Sequence, residues 1–92
     1  MATVYITMKL MPENPDVNLE HIEKLAREKI ESHGIKVHSA EKVPIAFGLV
    51  SIQIIMMADE QKGSTDLLEF ELSKIPGVES VQVIDVRRGI GS

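Results

Sequence analysis

The stretch Val43-Pro44-Ile45-Ala46-Phe47-Gly48-Leu49-Val50-Ser51-Ile52-Gln53-Ile54-Ile55-Met56-Met57 organises the chain. Its second half, Leu49 to Met57, is β-branched and apolar and opens after a glycine, so it reads as a central strand. The first half is different. Pro44 has no amide donor and a fixed φ, which suits an edge strand or a strand entrance and not the middle of a ladder. Gly48 lets the chain turn sharply before the core strand and leaves Phe47 beside a backbone pivot. A stiff proline and an aromatic at such a bend make either a packing device or a knob presented to solvent.

Working outward, Thr3 to Leu10 alternates Val4, Ile6, Met8 and Leu10 against Thr3, Tyr5, Thr7 and Lys9, the pattern of a half-buried strand. Met11-Pro12-Glu13-Asn14-Pro15-Asp16 ends it, and Asn18 is placed to cap a helix. Leu19, Ile22, Leu25 or Ala26, and Ile30 recur at helical spacing, with Glu20–Lys24 and Glu23–Arg27 as i,i+4 pairs and Gly34 as the stop. Residues Ile35 to Phe47 form a more polar extended segment, expected at a sheet edge. After the core strand, Ala58 to Gly63 is a polar connector, and Ser64 or Thr65 caps a second helix to about Ile75. Leu68, Leu72 and Ile75, with Leu67 beside them, give that helix its packing face, and Pro76-Gly77 ends it. Val78 to Val86 reads as a fourth strand, after which Arg87 to Ser92 trails off, Gly89 to Ser92 forming a loose tail.

The order strand, helix, strand, strand, helix, strand makes two split β-α-β units. That is the ferredoxin-like α+β sandwich, a four-stranded antiparallel sheet with both helices on one face. Ninety-two residues allow one domain, residues 1–92, with one core. Hydrophobic residues make up 43% and charged residues 26%, an ordinary globular composition. A formal charge of −4 opposes sequence-independent binding to nucleic acid. No cysteine is present, which removes disulfides, thiolate metal sites and a cysteine nucleophile. The N-terminus reads as a strand and not as a secretory leader, and no apolar run approaches the roughly 20 residues of a membrane span. The cytoplasm is the expected location.

Chemistry is hard to find. His21 and His33 stand twelve residues apart, out of phase on one helix, and with His38 they read as solvated surface and not as metal ligands. The carboxylates Asp59, Glu60, Asp66, Glu69 and Glu71 read as a solvated face, with no nucleophile or second base near them. An RNA-reading sheet would carry aromatics on the open faces of its first and third strands, where this chain offers only Tyr5. Arg87-Arg88 is either a hold for phosphate or carboxylate or a solubilising end. Phe70 falls about 200° from Leu68 around its helix and is expected at the surface, as an isolated exposure or a contact.

Three segments resemble one family: Pro44-Ile45-Ala46-Phe47-Gly48-Leu49, Gly63-Ser64-Thr65-Asp66-Leu67-Leu68-Glu69, and Val78 through Arg88. The Met11 to Glu20 segment also fits that family's first loop and helix start. The chain resembles elongation factor 1-beta in its short archaeal-type form. The resemblance implies a non-enzymatic guanine-nucleotide exchange factor without a cofactor, whose partner is the GTPase elongation factor 1-alpha in its GDP-bound and nucleotide-free forms. It makes Phe47 the aromatic that contacts the GTPase, with Pro44, Ala46 and Gly48 setting its position. It makes Asp85, Arg87 and Arg88, at the carboxyl end of the last strand, the second contact. Eukaryotic relatives carry a lysine next to last in the chain that is pushed toward the magnesium site; Gly91 stands there in this sequence, and Arg87 and Arg88 are the nearest cations. Other classes open to such a sandwich are a ligand-binding or self-associating regulatory domain without a GTPase partner, and a small enzyme.

Overall fold

The computed structural model describes residues 3–59 and 65–89. In chain order the elements are β1 (Thr3–Pro12), α1 (Leu19–Ser32), β2 (Lys36–Pro44), β3 (Val50–Asp59), α2 (Asp66–Ser73) and β4 (Val78–Arg88). The sheet order is β2-β3-β1-β4 and every pairing is antiparallel, so the ferredoxin-like arrangement is present. The apolar face of β1 (Ile6, Met8, Leu10) joins Ile52, Ile54 and Met56 of β3. Against them pack Ile22, Ala26 and Ile30 of α1 and Leu68 and Leu72 of α2. Full burial of each such Leu, Ile or Met side chain contributes about 1.5–3 kcal/mol before conformational entropy is charged against it.

Local signals explain the element ends. The Asn18 side chain accepts from the His21 amide at 3.1 Å, capping α1 as expected. At its other end the Ile35 amide donates to the Ile30 carbonyl and the Gly34 amide to that of Glu31, a Schellman closure that needs the left-handed φ of 77° at Gly34. The Glu23–Arg27 pair closes at 3.1 Å, whereas Glu20 faces Lys42 of β2 at 3.9 Å instead of Lys24.

Several boundaries differ from the sequence reading. The second strand stops at Pro44, because the chain enters a tight turn at Ala46, and β3 runs from Val50 on to Asp59. The second helix ends at Ser73, short of Ile75, whose amide bonds the Leu72 carbonyl in a closing turn. Thr65 stands at its N-cap position without a side-chain cap bond, and Ser64 lies outside the described residues. Leu67 is 62% exposed and not part of the packing face, since its phase points it away from Leu68 and Leu72. Arg87 and Arg88 do not trail off: they pair with Tyr5 and Val4 as the last rungs of β4, and the Gly89 amide donates to the Thr3 carbonyl at 2.7 Å. The rest of the expected tail, Ile90 to Ser92, lies outside the described residues.

Candidate functional site

The turn between β2 and β3 begins with the limits that proline imposes. The Ile45 amide donates across the hairpin to the Leu49 carbonyl at 2.8 Å. Hydrogen-bonded and non-bonded pairs alternate along an antiparallel ladder, so Pro44, one residue earlier and opposite Val50, occupies a position whose amide would point away from β3. Its missing donor therefore leaves the pairing intact at the end of an edge strand.

Beyond it, the Leu49 amide donates to the Ala46 carbonyl at 3.2 Å, closing a four-residue turn around Phe47 and Gly48. Both central residues are left-handed: Phe47 at φ 61°, ψ 31° and Gly48 at φ 76°. Paired positive φ values mark a turn of type I′, which matches strand twist but favours Asn or Gly at its first central position. A phenylalanine there costs on the order of 1–2 kcal/mol. Among the described residues it is the single non-glycine with positive φ. Nothing repays that cost locally. The Phe47 side chain is 94% exposed, and a Cβ added at Gly48 would meet no atom within 4 Å. Pro44, Ala46, Phe47 and Gly48 thus form one solvent-facing tip built around an aromatic that buries almost nothing.

Asp85, Arg87 and Arg88 are brought together elsewhere. Asp85 pairs with Thr7 and Arg87 with Tyr5, and the Arg87 Nε donates to Asp85 Oδ2 at 2.8 Å in an exposed ion pair. Such a pair is worth little in stability, so both charges remain available at small cost to a partner. Arg88 pairs with Val4, and Val4 with Ala58 of β3. Eight residue steps along β3 take the chain from Val50 at the turn to Ala58, roughly 26 Å at about 3.3 Å per residue. The two expected contact groups therefore occupy opposite ends of a molecule 41 Å long. The fourth strand antiparallel to the first already dictates this separation, a signal available in the element order. Gly91 lies outside the described residues.

The other titratable groups are spread over the surface. His33 Nε2 lies 3.1 Å from Glu71 Oε2, joining α1 to α2, and the His38 ring meets Tyr5 edge-on at 5.8 Å across the open sheet face. A bulge between Val37 and Ser39 frees His38 for that contact. Partial burial, and then the charge and hydrogen bond of Asp66, raise the Glu69 carboxyl above its ordinary value. Among the described residues no group of three or more His, Asp or Glu side chains is placed to hold a metal ion, and no helix is long and apolar enough to cross a membrane. Glu60 lies outside them. Phe70 is 58% exposed, as its helical phase requires, with the Lys74 ammonium 4.8 Å from the ring centre.

Two features of the tip escape sequence reading. Ala-Phe-Gly-Leu announces a glycine turn, but not that the residue before the glycine is left-handed too. Ser51 lies on the open side of β3 by alternation, yet it is fully buried.

Comparisons follow the same geometry. Among solved structures the fold is similar to the C-terminal domain of the MgtC protein from Mycobacterium tuberculosis, with TM-score 0.63 and 15% identity over 96% of this chain and 88% of that one. It is also similar to the ACT domain of GTP pyrophosphokinase from Chlorobium tepidum, with TM-score 0.60 and 15% identity over 87% and 96%. These likenesses concern the fold alone. By sequence the chain is 42% identical to elongation factor 1-beta of Methanothermobacter thermautotrophicus over 96% of this chain and 98% of that one. It is 36% identical to the protein of that name from Methanobrevibacter smithii over 96% and 98%. With that from Methanococcoides burtonii the figures are 34%, 98% and 100%. The family described as the EF-1 guanine nucleotide exchange domain matches residues 5–88, a span holding both the left-handed turn and the paired arginines. The chain belongs to that family, together with the archaeal elongation factor 1-beta proteins.

Proposed function

We propose that the 92-residue chain works as one exchange domain that promotes replacement of GDP by GTP on elongation factor 1-alpha. Phe47 carries the reading: an aromatic held in a costly backbone conformation, with 94% of its surface in solvent, is built to enter something else. The role requires no covalent step. It requires a surface that fits the nucleotide-free GTPase better than the loaded one, because the free energy gained by that preference reappears as an equal loss in the GTPase's hold on nucleotide. A sheet backed by two packed helices is stiff enough to present such a surface.

In this reading Phe47, positioned by Pro44, Ala46 and Gly48, makes the apolar contact. Arg87 and Arg88, with Asp85, make a charged contact at the far end, where a cation near the magnesium region would compete for its ligands. The domain acts in the cytoplasm, where its partner works. The likeness to ACT and MgtC domains is a likeness of fold and lends no weight to a ligand sensor. The test is release of fluorescent GDP from a matched elongation factor 1-alpha. The rate should rise in proportion to added protein and persist after dialysis; a rate equal to the spontaneous one at every concentration contradicts the proposal.

A further inference from the structure

The tip raises a mechanical question that its own contacts do not answer. No residue from Ala46 to Gly48 is buried, Gly48 has open space around it, and Phe47 is strained. The turn is closed by its own backbone bonds, Leu49 amide to Ala46 carbonyl and Ile45 amide to Leu49 carbonyl, but no side chain packs against the tip, so the direction of the whole turn is set by the strand pair beneath. Below the bonded Ile45–Leu49 pair, Pro44 with Val50 adds no bond between β2 and β3, since it is a non-bonded rung. The next pair is Val43 with Ser51. There the Ser51 Oγ donates to the Val43 carbonyl at 3.2 Å. Among the described residues Ser51 is the single buried polar side chain, at 0% exposure. A hydroxyl shut away from water must keep its protein partner, because leaving it unmade costs the full desolvation of the group. The bond is therefore a fixed link at the root of the turn, immediately before a proline whose φ is fixed as well.

We propose that Ser51 is a positioning residue for nucleotide exchange: its hydroxyl fastens β2 to β3 at the root of the turn and so fixes the direction in which Phe47 is presented. This rests on the reading of Phe47 as the GTPase contact, and two measurements keep the claims apart. The first is the backbone order parameter of the Phe47 amide by NMR relaxation, in the natural protein and in Ser51→Ala. It should fall from about 0.85, typical of rigid backbone, toward about 0.6. An unchanged value overturns the proposal whatever Phe47 touches.

The second is a double-mutant cycle on GDP release with Ser51→Ala and Phe47→Ala. Ser51→Ala should lower exchange at sub-saturating concentration by about threefold in the natural background and by nothing in the Phe47→Ala background, while its shift of the urea midpoint is the same in both. A loss of exchange equal in the two backgrounds overturns the proposal, since Ser51 would then act through general stability. Should Phe47→Ala alone leave exchange intact, the reading of Phe47 fails, and the order parameter still decides whether Ser51 positions it.

Discussion

The chain's two phenylalanines face solvent from regions built in different ways. Phe70 sits on α2 with ordinary helical geometry, and Lys74 lies over its ring. Phe47 stands on a two-residue left-handed turn with nothing packed around it. The first exposure follows from helical phase and costs the backbone nothing. The second is maintained against a backbone penalty, and such a penalty persists only when the surrounding structure imposes it. Exposure by itself is thus a weak mark of function, while exposure combined with strain is a stronger one.

The sharpest way to break this contrast is to truncate each ring. Phe47→Ala should reduce stimulated GDP release by tenfold or more, about 1.4 kcal/mol or beyond, as for an aromatic anchor at an interface centre. Phe70→Ala should change it by less than about twofold, so equal losses would remove the distinction. Glycine at each position probes the backbones. Phe47→Gly relieves the left-handed strain and should stabilise the fold by about 1 kcal/mol, whereas Phe70→Gly weakens a helix and should destabilise it by about the same amount. Urea unfolding reads both, and a destabilising Phe47→Gly would mean that the turn is not strained.

The far end of the sheet should respond differently from the tip. Replacing Arg87 and Arg88 together by alanine should slow GDP release about threefold at low salt and less at 0.5 M salt, because exposed charges act through a screened field. A loss independent of salt would contradict a charged contact at this end. The smallest effect is expected at Glu69. Its folded-state pKa lies above the unfolded value, so its ionised form costs stability. That cost is absent at low pH where both states are protonated, grows as pH rises through the ordinary carboxylate value, and is complete above the raised one. Glu69→Gln should therefore raise the urea midpoint slightly at pH 7, by an amount kept small because solvent screens a carboxyl that is only partly buried, and leave it unchanged near pH 3.

Much of the architecture was legible because local chemistry and global fold agree. The alternation of Val4, Ile6, Met8 and Leu10, the Asn18 cap and the Gly34 stop each act within a few residues. Pro44 announced an edge, and β2 is one. What escaped depends on longer-range geometry. The left-handed state of Phe47 comes from closing the hairpin between two registered strands, and no propensity of phenylalanine signals it. The bulges at His38 and near Ile84 break a strict alternation that sequence reading assumes. Leu67 looked like core by composition, but its helical phase faces it to solvent. The two expected contacts carried no distance between them in the sequence, and the strand directions place them at opposite ends.

The most direct measurement is the equilibrium affinity of the domain for elongation factor 1-alpha, empty and GDP-loaded, with natural protein and with Phe47→Ala. The natural domain should bind the empty form at least tenfold more tightly, and the variant should lose most of that preference. Equal affinity of the natural domain for both forms, or a preference unchanged in Phe47→Ala, would contradict the claim that the strained aromatic drives exchange.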